Sequence, residues 1–198
     1  MFTGIVQTIG NIKTVKSLGE DVQLTIETTG LDLNDVTIGD SIAVNGVCLT
    51  VTEIKANLWF AHVSKATLNV TVGLDTAKPV NCEKALRLSD RLGGHLLSGH
   101  VDGVGEVVQY EQIGDCWLLR VKVPHAISQF IAQKGSIAVD GVSLTVNAID
   151  QDTFSVNLIP HTVANTTLQF LTAGSLVNCE VDQIARYVAR LQQWKTES

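Results

Sequence analysis

Cys48 and Thr50, and again Ser143 and Thr145, sit two residues apart in the frame x-Leu-Thr, each just after a glycine turn. Residues two apart on a strand share a face, so each pair can present a thiol or hydroxyl together with a second hydroxyl to one pocket. Such a pocket can donate hydrogen bonds or attack an electrophile. Small polar groups also fill barrel interiors, and composition alone leaves both readings standing. His95 and His100 lie in the glycine-rich string GGHLLSGHVDG. Their spacing of five puts them on opposite faces of a strand and makes no helical ligand pair, so a metal site is not expected. His100 stands where the first half of the chain has Ile5, and exchanging an apolar residue for the side chain that titrates near neutrality points to function. A hydrogen-bonded structural histidine accounts for it equally well. His62 and His161 lie outside the glycine-rich clusters.

The elements that must position these residues are duplicated. Residues 41–51, SIAVNGVCLTV, return at 136–146 as SIAVDGVSLTV, with Asn45 against Asp140 and Cys48 against Ser143 as the differing positions. At the same offset Phe2-Thr3-Gly4-Ile5-Val6 meets Leu97-Ser98-Gly99-His100-Val101, and the string VNCE occurs at both Cys82 and Cys179. Short alternating segments rich in β-branched residues, such as Val22-Leu24-Ile26 and Leu58-Phe60, read as strands, and Asn45-Gly46 and Asp140-Gly141 read as hairpin turns. About six such strands per half, without a long helical period, predict a closed barrel in each half. The predicted boundaries are 1–94 and 95–181 for the two barrels, joined through the polar stretch 85–94, with 182–198 as a C-terminal helix. In that tail Ile184, Val188, Leu191 and Trp194 recur at helical spacing behind Asp182 as cap; the apolar face can fold back on a barrel or bind other copies of itself, and the second is expected because closed barrels leave little spare apolar surface.

Composition narrows the function classes. The chain has 198 residues, 45% apolar and 17% charged, which fits two small folded domains. A formal charge of −6 without a basic run argues against nucleic acid as partner. No apolar run reaches the length of a membrane span, and no leader-like start is seen, so no membrane partner and a cytoplasmic location are expected. The four cysteines, lacking CxxC spacing, are expected to be reduced.

The strings MFTGIV, NGVCLTV, GGHLLSGHVDG, DGVSLTV, LIPHT and VNCEVD, in this order over nearly the whole chain, resemble the riboflavin synthase family of the alpha-chain type, built from lumazine-binding repeats. The resemblance implies an all-β chain of two tandem six-stranded Greek-key β-barrels plus a C-terminal α-helix that holds a homotrimer. It implies a transferase reaction in which two molecules of 6,7-dimethyl-8-ribityllumazine exchange a four-carbon unit, giving riboflavin and 5-amino-6-ribitylaminouracil, with no cofactor. Each site would pair the first barrel of one subunit with the second barrel of its neighbour, holding two lumazines. Lumazine synthase is raised as a further partner.

Carried over by position, one ring would meet Ser41, Cys48, Leu49 and Thr50 together with His62, Val63, Ser64, Lys65, Ala66 and Thr67. The other would meet Gly4, Ile5 and Val6, then Ser143, Leu144 and Thr145, and Ile159, Pro160, His161, Thr162, Val163 and Ala164. Gly99, His100, Val101 and Lys134 would lie near the bound pair. Chemically, one lumazine loses a proton from its 7-methyl group, with His100 as base or relay, while water, Ser143 or Cys48 adds to the other ring. Thr50, Thr145 and backbone amides would fix the ring edges, Phe2 would pack beside the pair, and Asp182 would bind ribityl hydroxyls or orient neighbours. Ala66 departs from the family pattern, which commonly has an acidic residue there. Two rival readings are a lumazine-binding fluorescent antenna protein without chemistry and a barrel module that binds no small ligand.

Overall fold

The computed structural model describes residues 1–197, with side chains through Thr196; Ser198, the end of the predicted helix segment, lies outside the described residues. The first half forms strands β1 (Thr8–Leu18), β2 (Asp21–Glu27), β3 (Ser41–Val44), β4 (Val47–Lys55), β5 (Leu58–Val63) and β6 (Pro79–Lys84), with a one-turn helix α1 (Lys65–Leu68) before β6. These six strands close into a barrel in the order β1-β2-β5-β4-β3-β6, all neighbours antiparallel. The order departs from the chain sequence between β2 and β6, which is the Greek-key crossing, and closure leaves no free sheet edge.

The second half repeats this plan with β7 (Gly103–Ile113), β8 (Cys116–Lys122), the one-turn helix α2 (His125–Ser128), β9 (Ser136–Val139), β10 (Val142–Thr145), β11 (Ala148–Asp150), β12 (Thr153–Leu158) and β13 (Leu176–Val181). Here the sheet is a curled, barrel-like one of seven strands, ordered β10-β9-β13-β7-β8-β12-β11, whose ladder is open between its end strands β10 and β11, where a closed barrel of six was expected. The extra strand has a local cause. β4 carries a bulge between Val51 and Glu53, and the corresponding point of the second half is the break between β10 and β11. A bulge bends its strand and raises local twist; in the second barrel the bend interrupts the ladder, and the Asn147 N–H bonds to the Ser155 carbonyl across the gap at 2.8 Å.

The hairpins β3–β4 and β9–β10 turn on Asn45-Gly46 and Asp140-Gly141, whose φ values of 45° and 77° and of 45° and 78° are those of a two-residue turn with both central residues left-handed. The turns meet back to back. A Cβ on Gly46 would lie 2.7 Å from the Gly141 nitrogen, and one on Gly141 would lie 2.7 Å from the Gly46 nitrogen, so neither position has room for a side chain. Around this contact Asn81 Nδ2 donates to the Asp140 carbonyl at 2.8 Å, and Asn178 Nδ2 donates to the Asn45 carbonyl at 3.0 Å. The asparagine of each VNCE string thus reaches across to the other barrel's turn, so this crossing holds the two barrels together.

Each barrel has its own core, centred on Trp59, Leu24 and Ile42 in the first and on Phe154, Leu119 and Ile137 in the second. A third, smaller cluster of Phe2, Ala43, Leu97 and Ala138 lies between them and is itself made of repeat-related pairs. The chain ends in α4 (Gln183–Glu197), started by Asp182, whose Oδ1 accepts the Ile184 N–H at 2.9 Å. Ile184, Tyr187, Val188, Leu191 and Trp194 of this helix are all exposed in the single chain.

Candidate functional site

The segments that precede the first strand of each repeat, residues 2–6 and 97–101, pair with one another through Phe2 and Leu97 and then cross to the opposite barrel. The Gly4 carbonyl accepts the Ser143 N–H and the Gly99 carbonyl accepts the Cys48 N–H, both at 2.8 Å. Val6 packs on the second core and Val101 on the first. Each polar strand pair is therefore covered by the leading segment of the other repeat. The approach needs glycine: at Gly4, φ is +76° and a Cβ would fall 2.6 Å from the Ser143 Cβ, while at Gly99, φ is +74° and a Cβ would fall 2.6 Å from the Cys48 Cβ.

A buried glutamate pins each crossing segment. Glu83 accepts from the Thr3 N–H at 2.7 Å, the Thr3 hydroxyl at 2.6 Å and the Gly4 N–H at 3.0 Å. Glu180 accepts from the backbone N–H groups of Ser98, Gly99 and His100 at 2.7, 2.9 and 3.1 Å. Burial pushes both carboxyls above the usual range, and the donated hydrogen bonds pull against that shift.

The surroundings of the first barrel's pair are built from Gly99 and Val101 over Cys48, with α1 beyond. Ser64 caps α1 by accepting the Thr67 N–H at 3.2 Å. His62 Nε2 lies 2.8 Å from Asp21 Oδ2, and Asp21 Oδ1 accepts the Lys65 N–H at 2.9 Å, so Asp21 ties the whole turn to β2 and is held below the usual carboxylate range by those bonds. The Lys65 ammonium bonds Glu20. Val63 is buried, Ala66 is exposed, Leu49 is core, and Ser41 pairs with Thr50 across the β3–β4 ladder. Ser41 also lines a polar cavity of about 410 Å³ with Asp35, Lys84 and Arg87.

In the second barrel Gly4, Ile5 and Val6 pass over Ser143, with Thr145 two residues on and Leu144 turned into the core. Ile159 starts helix α3 (Pro160–Asn165), in which Pro160 occupies the first turn, Val163 faces the core and the Thr162 carbonyl accepts the Thr166 hydroxyl at 2.7 Å. Val6, Gln7, His161 and Ala164 line a cavity of about 440 Å³ between this helix and the crossing segment. Lys134 has φ +67° where the first repeat has Gly39 at +99°, and each donates its N–H to the carbonyl at the end of the polar strand, Val146 or Val51. A lysine in that conformation is strained where glycine is free.

The two histidines of the glycine-rich string are placed differently from a strand reading, because residues 91–100 are irregular apart from the single bridge at Leu97. His100 is exposed and lines a groove of about 340 Å³ with Ser98 and with Gln183, Arg186, Tyr187 and Arg190 of α4. His95, which sequence reasoning left out of the site, is buried with Nδ1 2.7 Å from Ser143 Oγ. Burial lowers its pKa below the usual imidazole range, opposed by the nearby charge of Asp182. The signal that could have found it is Gly94: a Cβ there would lie 2.8 Å from the Ser143 Cβ, so the glycine lets this backbone fold over Ser143. Phe2 is 1% exposed in the cluster between the barrels, beside Cys48. The four cysteines are free thiols, and burial pushes Cys82 up to about 12. Among the described residues no group of His, Cys, Asp or Glu is arranged to hold a metal ion, and no helix is long and apolar enough to cross a membrane.

Two barrel-like sheets with one shared plan, each offering a polar strand pair under a borrowed segment, define a tandem repeat protein. The family description "Lumazine binding domain" matches residues 3–85 and 98–182, and the chain belongs to that family. It is 45% identical over 193 residues to "Riboflavin synthase" of Photobacterium phosphoreum, covering 96% of this chain and 88% of the relative. Its identity to "Riboflavin synthase" of Bacillus subtilis (strain 168) is 42% over 192 residues, covering 96% and 89%. Among solved structures, LumP complexed with riboflavin superposes with a TM-score of 0.84 at 29% identity, covering 91% of this chain and 99% of the other. LumP complexed with 6,7-dimethyl-8-(1'-D-ribityl) lumazine gives 0.80 at 28% identity, with the same coverage.

Proposed function

We propose that this protein is a riboflavin synthase, an enzyme that converts two 6,7-dimethyl-8-ribityllumazine molecules into riboflavin and 5-amino-6-ribitylaminouracil. The carrying observation is the unequal duplication: one plan is used twice, but Cys48 lies under the segment bearing His100, while Ser143 lies under the segment bearing Ile5 and is paired with His95. A dismutation needs that combination, since both substrate molecules have the same shape yet play different parts. Holding both rings in one orientation supplies much of the rate gain in a bimolecular exchange.

In this reading Thr50, Thr145 and nearby backbone amides hold the pyrimidinedione edges. His100 takes or relays the 7-methyl proton, and Ser143, activated by the neutral His95 imidazole, or water adds to the second ring. Lys134, Asp182 and the residues of α1 and α3 contact the ribityl chains. The domain limits are kept as 1–94, 95–181 and 182–198. The exposed apolar face of α4 supports a homotrimer in which a first barrel faces a neighbour's second barrel. A cytoplasmic location and an association with lumazine synthase complete the proposal, the latter checked by co-sedimentation.

Mixing the purified protein with the lumazine and following riboflavin absorbance tests the reading. The likeness to LumP favours one other reading, a pigment-binding protein without chemistry; stoichiometric binding with no riboflavin formed would establish it.

A further inference from the structure

The two crossing segments are held by the same glutamate contact, yet the second carries charged attachments that the first lacks. In the first repeat Gln7 Oε1 accepts the Lys84 N–H at 2.8 Å, which fastens the end of the segment to β6. The equivalent bond in the second repeat runs from the Val181 N–H to Asp102 Oδ2, again at 2.8 Å. A neutral amide oxygen therefore suffices for this anchoring. The carboxylate at 102 has a second use: its Oδ1 lies 3.2 Å from Arg186 Nη1 of α4, and Arg186 Nη2 lies 3.6 Å from Glu180 Oε1. Glu180 holds the backbone nitrogen of His100 directly.

The fold thus replaces Ile5 with a titratable ring and, at the same segment, adds an acid and a guanidinium from another element. Two half-buried or buried carboxylates paired with one arginine make a rigid arrangement, because the planar guanidinium fork engages both. The groups facing His100 are Asp102 and Glu180 on its own side and Arg186, Arg190 and Tyr187 on α4.

We propose that Glu180 and Arg186 are positioning residues for His100, Glu180 by fixing its backbone and Arg186 by making that placement depend on the seat of α4. The inference rests on the synthase reading above. It links assembly to chemistry: the helix that presents an apolar face to other copies also grips, through Arg186, the segment that carries the histidine.

The test is a double-mutant cycle on the full-length protein, measuring riboflavin formation together with oligomeric state and melting temperature. Glu180→Gln and Arg186→Met are each expected to lower kcat about tenfold, less than the roughly hundredfold or more ascribed to a positioned acid–base group itself, with the KM for lumazine nearly unchanged and the assembly intact. In a His100→Gln background neither substitution is expected to lower kcat further, and Arg186→Lys is expected to restore part of the Arg186→Met loss. Full additivity with His100→Gln, or a loss seen only as lowered melting temperature, would overturn the proposal. So would full turnover by His100→Gln, which leaves the synthase reading in place. If the wild-type protein binds lumazine without turnover, the synthase reading itself fails. The positioning claim is then read from the His100 imidazole NMR signals, and unchanged shifts in Glu180→Gln would reject it.

Discussion

His95 Nδ1 and Ser143 Oγ lie 2.7 Å apart, while His95 Nε2 is buried with no hydrogen-bond partner among the described residues. A buried imidazole held neutral by desolvation is a competent acceptor for the serine proton. Replacing His95 by Asn or Ser143 by Ala is expected to reduce kcat by about a hundredfold, with the double substitution no worse than the more damaging single one. Lumazine affinity, read by fluorescence titration, should change only a few-fold. Because burial lowers the His95 pKa, protonation of the His95 imidazole, followed by its NMR signals, should occur below the ordinary imidazole value of about 6.5.

Asp140 and Asn45 occupy equivalent turns, but only Asp140 can ionise. Its carboxyl is fully buried and pushed up from 3.8 to about 7 by desolvation, opposed by the Asn178 N–H at 2.8 Å and the charge of Lys78. A carboxyl with a raised folded-state pKa destabilises the fold once ionised, so the penalty is absent below about pH 4 and grows as pH rises toward 7. Asp140→Asn should therefore raise the melting temperature at pH 8 and leave it nearly unchanged at pH 4. The gain at pH 8 is bounded at about 4 kcal/mol. The asparagine can keep the bond to the Asn178 N–H, as Asn45 does toward Asn81 at 2.7 Å. Thermal melts of both proteins across this pH range provide the check.

The turn at Asp140 also shows which features of the fold were readable beforehand. Asn-Gly and Asp-Gly state their own φ values, and the β-branched alternation around them states the strand faces, so both hairpins and the barrel plan followed from local chemistry. The split of β10 from β11 did not, because it falls where the strand exchanges β9 for β12 as its ladder partner, a change of partner that no short window encodes. The site was half legible for the same reason. Cys48 with Thr50 and Ser143 with Thr145 announce themselves by spacing, whereas His95 meets Ser143 from 48 residues away along an irregular segment. Reading that segment as a strand assigned its two histidines to opposite faces and hid the contact.

Gly99 tests whether the crossing segment must seat tightly on the first barrel. Its positive φ and the 2.6 Å approach to the Cys48 Cβ combine two obstacles to a methyl group. Gly99→Ala is expected to cost about 1–3 kcal/mol of stability from left-handed strain and overpacking. Turnover should fall more than tenfold, because the same residue's carbonyl holds the Cys48 N–H. Gly19, also at positive φ (+75°) but with open space around it, serves as control. Gly19→Ala should cost only the backbone strain and leave turnover unchanged. Equal turnover losses in the two variants would show that the tight approach at Gly99 does not matter.

The exposed face of α4 makes the last prediction, which concerns whether a productive site draws its two barrels from different subunits. Ile184 and Leu191 are 66% and 64% exposed in the single chain, too large an apolar surface to leave wet on a stable protein without cause. Leu191→Glu should break the assembly to monomers in sedimentation experiments and abolish turnover, while each barrel still binds lumazine. A sharper measurement uses two inactive variants, one disabled in the first barrel by substitutions at Cys48 and Thr50, the other in the second at Ser143 and Thr145. Each alone lacks one half of every site. When they are mixed, dissociated and reassembled, a ring of subunits joined head to tail brings an intact first barrel against an intact second barrel at about one interface in four, so roughly a quarter of wild-type activity should return. A site built within one subunit predicts no recovery, because every chain in the mixture carries a disabled barrel.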